Sequence, residues 1–170
     1  MNTLHNVPEV LKPIPAEKEF KQETLGNQVY FVDFDMKQVE IVMISRGSAY
    51  DVKNLPEINL YNVYFGGGMS GVVFQDLRES KALAYSTYST YMRPSKPTRK
   101  YTNFSYIGSQ SDKLADALKG MSDLLNEMPK ADAAFNAAKE VILQDIRSER
   151  ITKSGILFNY EGAIKFGNSE

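Results

Sequence analysis

The feature of this sequence that most constrains its fold is a run of three glycines, Gly66, Gly67 and Gly68, in the stretch YFGGGMSGVVF. Apolar residues at helical spacing precede the run over 55–65, and a second helix is predicted over 70–81. Because glycine weakens a helix interior and has no Cβ, the run predicts a sharp bend where two helices meet with close backbone approach. A nucleotide-binding loop is a weak interpretation, since the run lacks the Lys-Ser/Thr ending of a P-loop and follows a helix.

Four runs rich in β-branched and aromatic residues predict strands. The segments QVYFVDF, at 28–34, and QVEIVMISRGS, at 38–48, are separated by the short polar DMK and predict a hairpin. LAYSTYSTYMR and KYTNFSYIGS predict a second hairpin, whose connecting loop contains Pro94 and Pro97.

Apolar stripes at helical spacing predict two further helices after the second hairpin. Ser111 is a candidate cap for the first, which Pro129 ends, and the second spans about 135–146. The order ββ-αα-ββ-αα is typical of an α+β domain in which helices cover one face of an antiparallel sheet. We therefore expect a linker arm over 1–20 and a single domain over 21–170.

Composition excludes several classes of function. With 170 residues and 42% hydrophobic content, the chain is long enough to bury one core. The net charge of −1 lacks the basic excess of a nucleic-acid-binding surface, and no apolar run is long enough to span a membrane. The chain has no cysteine, and its single histidine is His5 in the proline-rich arm, so we expect neither a bound metal nor a histidine-based catalytic triad. The compartment stays open, because the absence of cysteine separates cytoplasm from periplasm only weakly.

Arg78 and Tyr85 stand seven positions apart in LRESKALAY, at the predicted junction between a helix and a strand. Both side chains carry hydrogen-bond donors, and donors aimed at one peptide carbonyl stabilise the negative charge that grows on its oxygen during hydrolysis. The alternative is structural: Arg78 would pair on the surface with Asp76 or Glu79, and Tyr85 would pack against the sheet.

The strand AYSTYSTY places Tyr85, Tyr88 and Tyr91 among serines and threonines. Such side chains can pack against a peptide and hydrogen-bond to it, and an edge strand could pair with an extended peptide directly. Packing of these tyrosines under the helices is an equally good interpretation.

The stretch YNVYFGGGMSGVVFQDLRESKALAYSTYS resembles a segment from the second domain of each half of the insulinase/pitrilysin-like zinc metallopeptidases. The family's pattern is a helix, then a glycine-rich run of the form LGGGMSSxLFxxLRExxGLAY, then a strand. The layout from about 18 to 165 also fits. The matching residues are Gly66, Gly67, Gly68, Met69, Ser70, Phe74, Leu77, Arg78, Glu79, Leu83, Ala84 and Tyr85.

This resemblance implies a role for the chain. In the family, two halves close like a clamshell around a peptide, and the catalytic domain carries an inverted HxxEH zinc motif. The half without zinc supplies an arginine and a tyrosine at this spacing, which bind the substrate backbone, and the resemblance assigns that role to Arg78 and Tyr85. Because HxxEH is absent here, the chain resembles the non-catalytic half, with zinc and the catalytic residues expected in a partner half, in the same precursor or a separate subunit.

Two points limit the resemblance. The family often has lysine-glycine where this chain has Lys81 and Ala82, and we expect the alanine to tighten or shift the junction before Tyr85. Some members of the superfamily are structural subunits of respiratory complexes that keep the clamshell and have lost hydrolysis, so a structural or assembly role stays open. The resemblance also implies that the arm over 1–20 leads from a preceding domain and that the domain over 21–170 is truncated at its C-terminus. We expect such an excised domain to expose a sheet edge or helix face that normally packs on its neighbour, which favours a homodimer of the isolated fragment.

Overall fold

The computed structural model describes residues 10, 12–16, 18 and 26–167. Two compact units divide the chain, Met1–Tyr30 and Phe31–Glu170, and the architecture below belongs to the second. Most of the arm predicted over 1–20, including His5, lies outside the described residues.

Three antiparallel strands form the sheet: β1 (Gln38–Ala49), β2 (Ser86–Met92) and β3 (Lys100–Gln110). Their spatial order is β1-β3-β2, so β3 is central and the other two are edges. β2 and β3 form the second predicted hairpin, with Ser86 opposite Gly108. On the other side of β3, Gln38 lies opposite Gln110.

The first predicted hairpin is not formed. Residues 28–34 have no strand structure, and the chain makes a tight turn in which the Met36 N–H donates to the Phe34 carbonyl at 2.7 Å. A segment with high β propensity forms a strand only when it can pair with another strand and bury one of its faces. Here the apolar residues are consecutive and have no covering layer, and their side chains are exposed: Val29, Tyr30, Phe31, Val32 and Phe34.

Within the described residues, five helical segments complete the fold. α1 (Leu55–Tyr61) continues as a π-turn over Asn62–Gly66, and α2 (Val72–Phe74) continues as a π-turn over Gln75–Ser80. α3 is Leu114–Asn126, α4 is Asp132–Ser148 and α5 is Ile156–Phe166, the last not predicted from the sequence. Short 3₁₀ turns cover Val52–Asn54 and Ser111–Lys113.

The observed order is therefore one strand, two helical segments, two strands and three helices, not the predicted ββ-αα-ββ-αα. The predicted Ser111 cap is also wrong: Ser111 begins a 3₁₀ turn, and neither this turn nor α3 has a side-chain cap bond. The α+β class and the antiparallel sheet are confirmed. Among the helices that the structure describes, none combines the length and apolarity needed to cross a membrane.

The helices pack on one face of the sheet and form a core with it. Alternate residues of β2 and β3 point to this face and are buried, including Thr87, Ser89, Ser105 and Ile107. The residues between them point away from the helices. The core adds apolar side chains from the helical segments: Tyr64, Phe65, Val72, Val73, Leu77, Ala117, Met121, Leu124 and Ala138.

The glycine run allows the end of the first helical segment to lie directly on β2. A Cβ at Gly66 would stand 1.5 Å from the Ser89 carbonyl oxygen, a separation at which atoms overlap, so only glycine fits. Gly68, with φ of +65°, has the left-handed backbone that turns the chain toward α2.

We expect Gly66→Ala to lower the free energy of unfolding by about 1–3 kcal/mol or more, because the added methyl must displace the β2 backbone. Gly162→Ala is the matched control: a Cβ there meets nothing within 4 Å, and in a helix it should raise stability by about 0.5–1 kcal/mol. Urea unfolding of both variants measures the difference. Equal midpoints would show that the close approach at Ser89 is not required.

Candidate functional site

The candidate site is the junction that leads from the second π-turn into β2. The Lys81 N–H donates to the Asp76 carbonyl at 3.0 Å, and the Leu83 N–H donates to the Leu77 carbonyl at 2.8 Å, which closes the helical end. Between them, Ala82 has φ of 50° and is the one residue other than glycine with a positive φ in the described part of the chain. It occupies the left-handed position that helix ends usually give to glycine.

Side chains from β3 and the turn after it fix this junction. The Ser109 hydroxyl donates to the Leu83 carbonyl at 2.5 Å, and the Lys113 ammonium donates to the Ala82 carbonyl at 2.9 Å. The Tyr85 N–H then donates to the Gly108 carbonyl at 2.8 Å, where β2 begins. The strained backbone at Ala82 is thus held by contacts on both sides, as strained positions in proteins generally are.

Arg78 lies within the π-turn, a form of helix that is rare and often found at functional sites. Its guanidinium carbon lies 4.8 Å from the centre of the Phe74 ring, close enough for a cation–π contact. Its Nε is 3.8 Å from a Glu79 carboxylate oxygen, and 46% of the side chain is exposed. Glu79, one of the two partners of the structural interpretation, is therefore near Arg78, whereas Asp76 pairs with Lys81 at 2.6 Å.

Tyr85 follows the junction and is 50% exposed. Its hydroxyl oxygen accepts a hydrogen bond from the Gln110 side-chain amide at 2.7 Å. Arg78 and Tyr85 share no partner among the contacts of the described residues. The structure thus places the two predicted site residues at opposite ends of one short junction, each half-exposed and each steadied by a separate neighbour.

A largely apolar surface extends from this junction across the side of the sheet away from the helices. The open face, as we call it, consists of Val42, Ile44, Tyr88, Met92, Phe104 and Tyr106. Tyr88 stacks on Phe104, with ring centres 5.9 Å apart, and on Tyr106, at 5.5 Å. Val42 and Tyr88 lie opposite Tyr106 from the two flanking strands.

The end of the open face nearest Gln110 is polar. Burial, and then the charge and hydrogen bonding of the Glu40 carboxylate, raise the pKa of the Tyr106 phenol above its ordinary value. Glu40 lies opposite Gly108, which has no side chain, and the Tyr106 hydroxyl lies 3.1 Å from where a Gly108 Cβ would stand.

The tyrosines of β2 divide between the two sides of the sheet. Tyr88 belongs to the open face, but Tyr91 points toward the helices, where it stacks on Tyr101 with ring centres 5.1 Å apart. The Tyr91 hydroxyl accepts from the Ser48 N–H at 2.6 Å. The packing interpretation therefore holds for Tyr91, whereas Tyr88 is 41% exposed.

The outer edge of β2 is partly occupied. Asn62 accepts from the Tyr91 N–H at 2.7 Å through Oδ1 and donates to the Tyr91 carbonyl at 3.2 Å through Nδ2. One side-chain amide thus takes both main-chain groups that an added strand would use, and Gly66 covers the Ser89 carbonyl. A groove of about 450 Å³ remains beside this edge, lined by residues that include Gly67, Gly68, Tyr88 and Thr90.

Two residues of the site, Asn62 and Gln110, were not identified from the sequence. Both act through contacts with residues 25 or more positions away. Their amide side chains belong to no motif, so no local signal could have found them. Within the described residues, no three His, Cys, Asp or Glu side chains come together in a way that could hold a metal ion.

Comparison with known proteins identifies a family and several relatives. A family model described as the peptidase M16 inactive domain matches residues 2–142. A protein of Rickettsia bellii named an uncharacterized zinc protease is 33% identical over 115 residues, which cover 65% of this chain and 27% of that protein. A protein of the same name from Rickettsia felis is 36% identical over 66 residues, covering 35% of this chain and 16% of its own length. The chain thus spans well under half of the curated relatives it matches.

Two solved structures share the fold. The crystal structure of a peptidase M16 inactive domain from Pseudomonas fluorescens has a TM-score of 0.60 at 17% identity, covering 79% of this chain and 32% of that one. The crystal structure of a protease from Helicobacter pylori has a TM-score of 0.62 at 14% identity, with coverage of 78% and 32%. At these identities, the likeness concerns the fold alone.

We expect Ala82→Gly to raise the free energy of unfolding by about 0.5–1 kcal/mol, because glycine relieves the left-handed strain that alanine bears there and loses part of the gain to chain entropy. Ala137→Gly, at an exposed position in the interior of α4, should lower it by about 1 kcal/mol. Thermal unfolding of the two variants provides the comparison. A loss of stability at both positions would mean that Ala82 is not strained.

Proposed function

Because this chain belongs to the peptidase M16 inactive-domain family, we propose that it is the non-catalytic half of a zinc metallopeptidase and that it positions peptide substrate in a chamber closed by the catalytic half. The observation that carries the proposal is the junction itself. A strained and firmly held turn joins Arg78 to Tyr85, and both side chains are half-exposed.

The chemistry of the two side chains fits a peptide backbone. A guanidinium offers several donors in a planar fork and a phenol offers one, and a peptide carbonyl can accept from both sides. Donors that meet the carbonyl oxygen as it gains negative charge lower the barrier to hydrolysis. Arg78 is already held against Phe74 and Tyr85 against Gln110, so less side-chain freedom remains to be lost on binding.

The open face supports a substrate chamber. Apolar and aromatic side chains are exposed beside the junction, and their stacked arrangement around Tyr88 offers a firm surface for the side chains of a bound peptide. The polar end near Tyr85 and Gln110 would receive the peptide backbone. The groove beside Tyr88 and Thr90 extends the same surface toward the glycine run.

The residues of this chain do not fit a zinc site. It has no cysteine and one histidine, and the part that the structure describes brings no suitable ligands together. Since the Rickettsia relatives are named zinc proteases, we place the zinc and the general base in the catalytic half, on the same polypeptide or on a separate subunit.

A structural or assembly role is the second candidate. One observation favours it: α5 has no buried residue, and its large apolar side chains are exposed. These side chains are Ile156, Leu157, Phe158, Tyr160 and Ile164. Exposed apolar surfaces of this kind mark contacts with another protein surface.

The isolated chain should self-associate through this surface. We expect a dimer in size-exclusion chromatography with light scattering, and a monomer for the double variant Leu157→Glu, Phe158→Glu, because both side chains are about 70% exposed and charge would oppose their burial. A wild-type monomer at all concentrations, or a dimer that survives the double substitution, would contradict this expectation.

The peptidase role is tested on the complete peptidase that contains this chain, or on the chain reconstituted with its catalytic half. Zinc-dependent cleavage of a peptide library is compared among wild type, Arg78→Ala and Tyr85→Phe. Removal of one donor to a developing oxyanion typically lowers kcat by about 10²–10³-fold, and we expect losses of that order at both positions. Zinc removal with a chelator should abolish cleavage altogether.

Arg147→Ala and Tyr30→Phe are matched controls, since both residues are exposed and belong to neither the junction, the open face nor the α5 surface. They should leave kcat unchanged. Unchanged kcat in Arg78→Ala and Tyr85→Phe would return both residues to a structural role. An absence of zinc-dependent cleavage in the wild type would favour the assembly role.

A further inference from the structure

We propose that Gln110 is a positioning residue for Tyr85: its amide occupies the phenol oxygen as an acceptor, so that the single hydroxyl proton stays available for the substrate carbonyl. This inference rests on the proposed peptide-binding role of Tyr85. It adds a residue that the sequence motif does not contain and assigns the direction of a hydrogen bond on which the motif's tyrosine depends.

One strand, β3, fixes Tyr85 at two points. The Gly108 carbonyl accepts from the Tyr85 N–H at 2.8 Å, and two residues later the Gln110 Nε2 donates to the Tyr85 Oη at 2.7 Å. The backbone and the tip of the tyrosine are thus tied to the same short stretch. β3 is the central strand of the sheet, and at Gly108 it pairs with both β1 and β2.

The direction of the hydrogen bond from Gln110 determines whether the Tyr85 hydroxyl can donate to substrate. A phenol has one proton to give and two lone pairs to receive. Donation from an amide N–H fills one lone pair and polarises the O–H bond, which makes the hydroxyl a stronger donor to a further acceptor. Among the contacts of the described residues, the Tyr85 hydroxyl donates to no protein group, so its proton can meet a ligand.

Tyr106, on the open face, has a carboxylate as its partner instead of an amide. Burial, and then the charge and hydrogen bonding of Glu40, raise the pKa of its phenol, and Glu40 lies opposite Gly108, next to which the Tyr106 hydroxyl lies. A phenol paired with a carboxylate has its one proton engaged and none left for a peptide carbonyl. The two tyrosines therefore have different partners, an amide donor for Tyr85 and a carboxylate for Tyr106, and only the first arrangement suits a donor role toward substrate.

The same contrast supplies the test. In the complete peptidase, Gln110→Leu removes the donor, and Gln110→Glu replaces it with a carboxylate that would take the Tyr85 proton. Gln38→Leu is the matched control, because Gln38 is also an exposed glutamine and lies directly opposite Gln110 in the ladder. Circular dichroism and the melting temperature of each variant show that the fold is retained.

We expect Gln110→Leu to lower kcat about threefold to tenfold with little change in KM, the effect of one ordinary hydrogen bond. Gln110→Glu should lower kcat further at pH 7, and its deficit relative to Gln110→Leu should shrink as the pH falls toward about 4.3, the ordinary glutamate pKa. A residue that only stabilised the fold would give no such pH-dependent ratio. Gln38→Leu should behave as wild type.

In a Tyr85→Phe background, the Gln110 substitutions should have no further effect, since the residue they act through has lost its hydroxyl. If Tyr85→Phe lowers kcat but the Gln110 variants match Gln38→Leu, this inference is overturned while the peptide-binding role stands. Additive losses in the double variants would also overturn it. If Tyr85→Phe itself leaves kcat unchanged, the proposed function fails first.

Discussion

The contact between Gly66 and the Ser89 carbonyl is the constraint on which the rest of the structure depends. It brings the end of the first helical segment onto the backbone of β2, with no side chain between them. Asn62, one turn earlier, is thereby placed at the Tyr91 main chain. The chain must then reverse through Gly68 to begin α2, so the path that leads to Arg78 starts from this one point of backbone contact.

The junction that follows combines strain with support. Ala82 has a left-handed backbone that most residues avoid, and Lys113 and Ser109 bind the carbonyls of Ala82 and Leu83. The departure noted in the sequence, alanine where the family often has glycine, thus falls on the very residue with positive φ. Alanine is more costly than glycine in this left-handed backbone region.

Much of this fold could be predicted from the sequence, for identifiable reasons. The second hairpin and the main helices follow from the period of their apolar residues, a local signal that tertiary packing here reinforces. The strand predicted over 28–34 failed because its β propensity had no ladder to join. The positions of Asn62 and Gln110 could not be predicted, because each bonds across 25 or more residues, and only the assembled sheet brings those partners together.

The Asn62 amide makes the two edges of the sheet different, because it binds only the β2 edge. At β2, the Asn62 side chain makes the two hydrogen bonds to the Tyr91 main chain that a neighbouring strand would otherwise make. Along β1, a 12-residue strand has β3 as its ladder partner within the described residues, on one side only. An added strand would have to displace the Asn62 amide before it could pair with β2 at Tyr91, which hinders growth of the sheet at that edge.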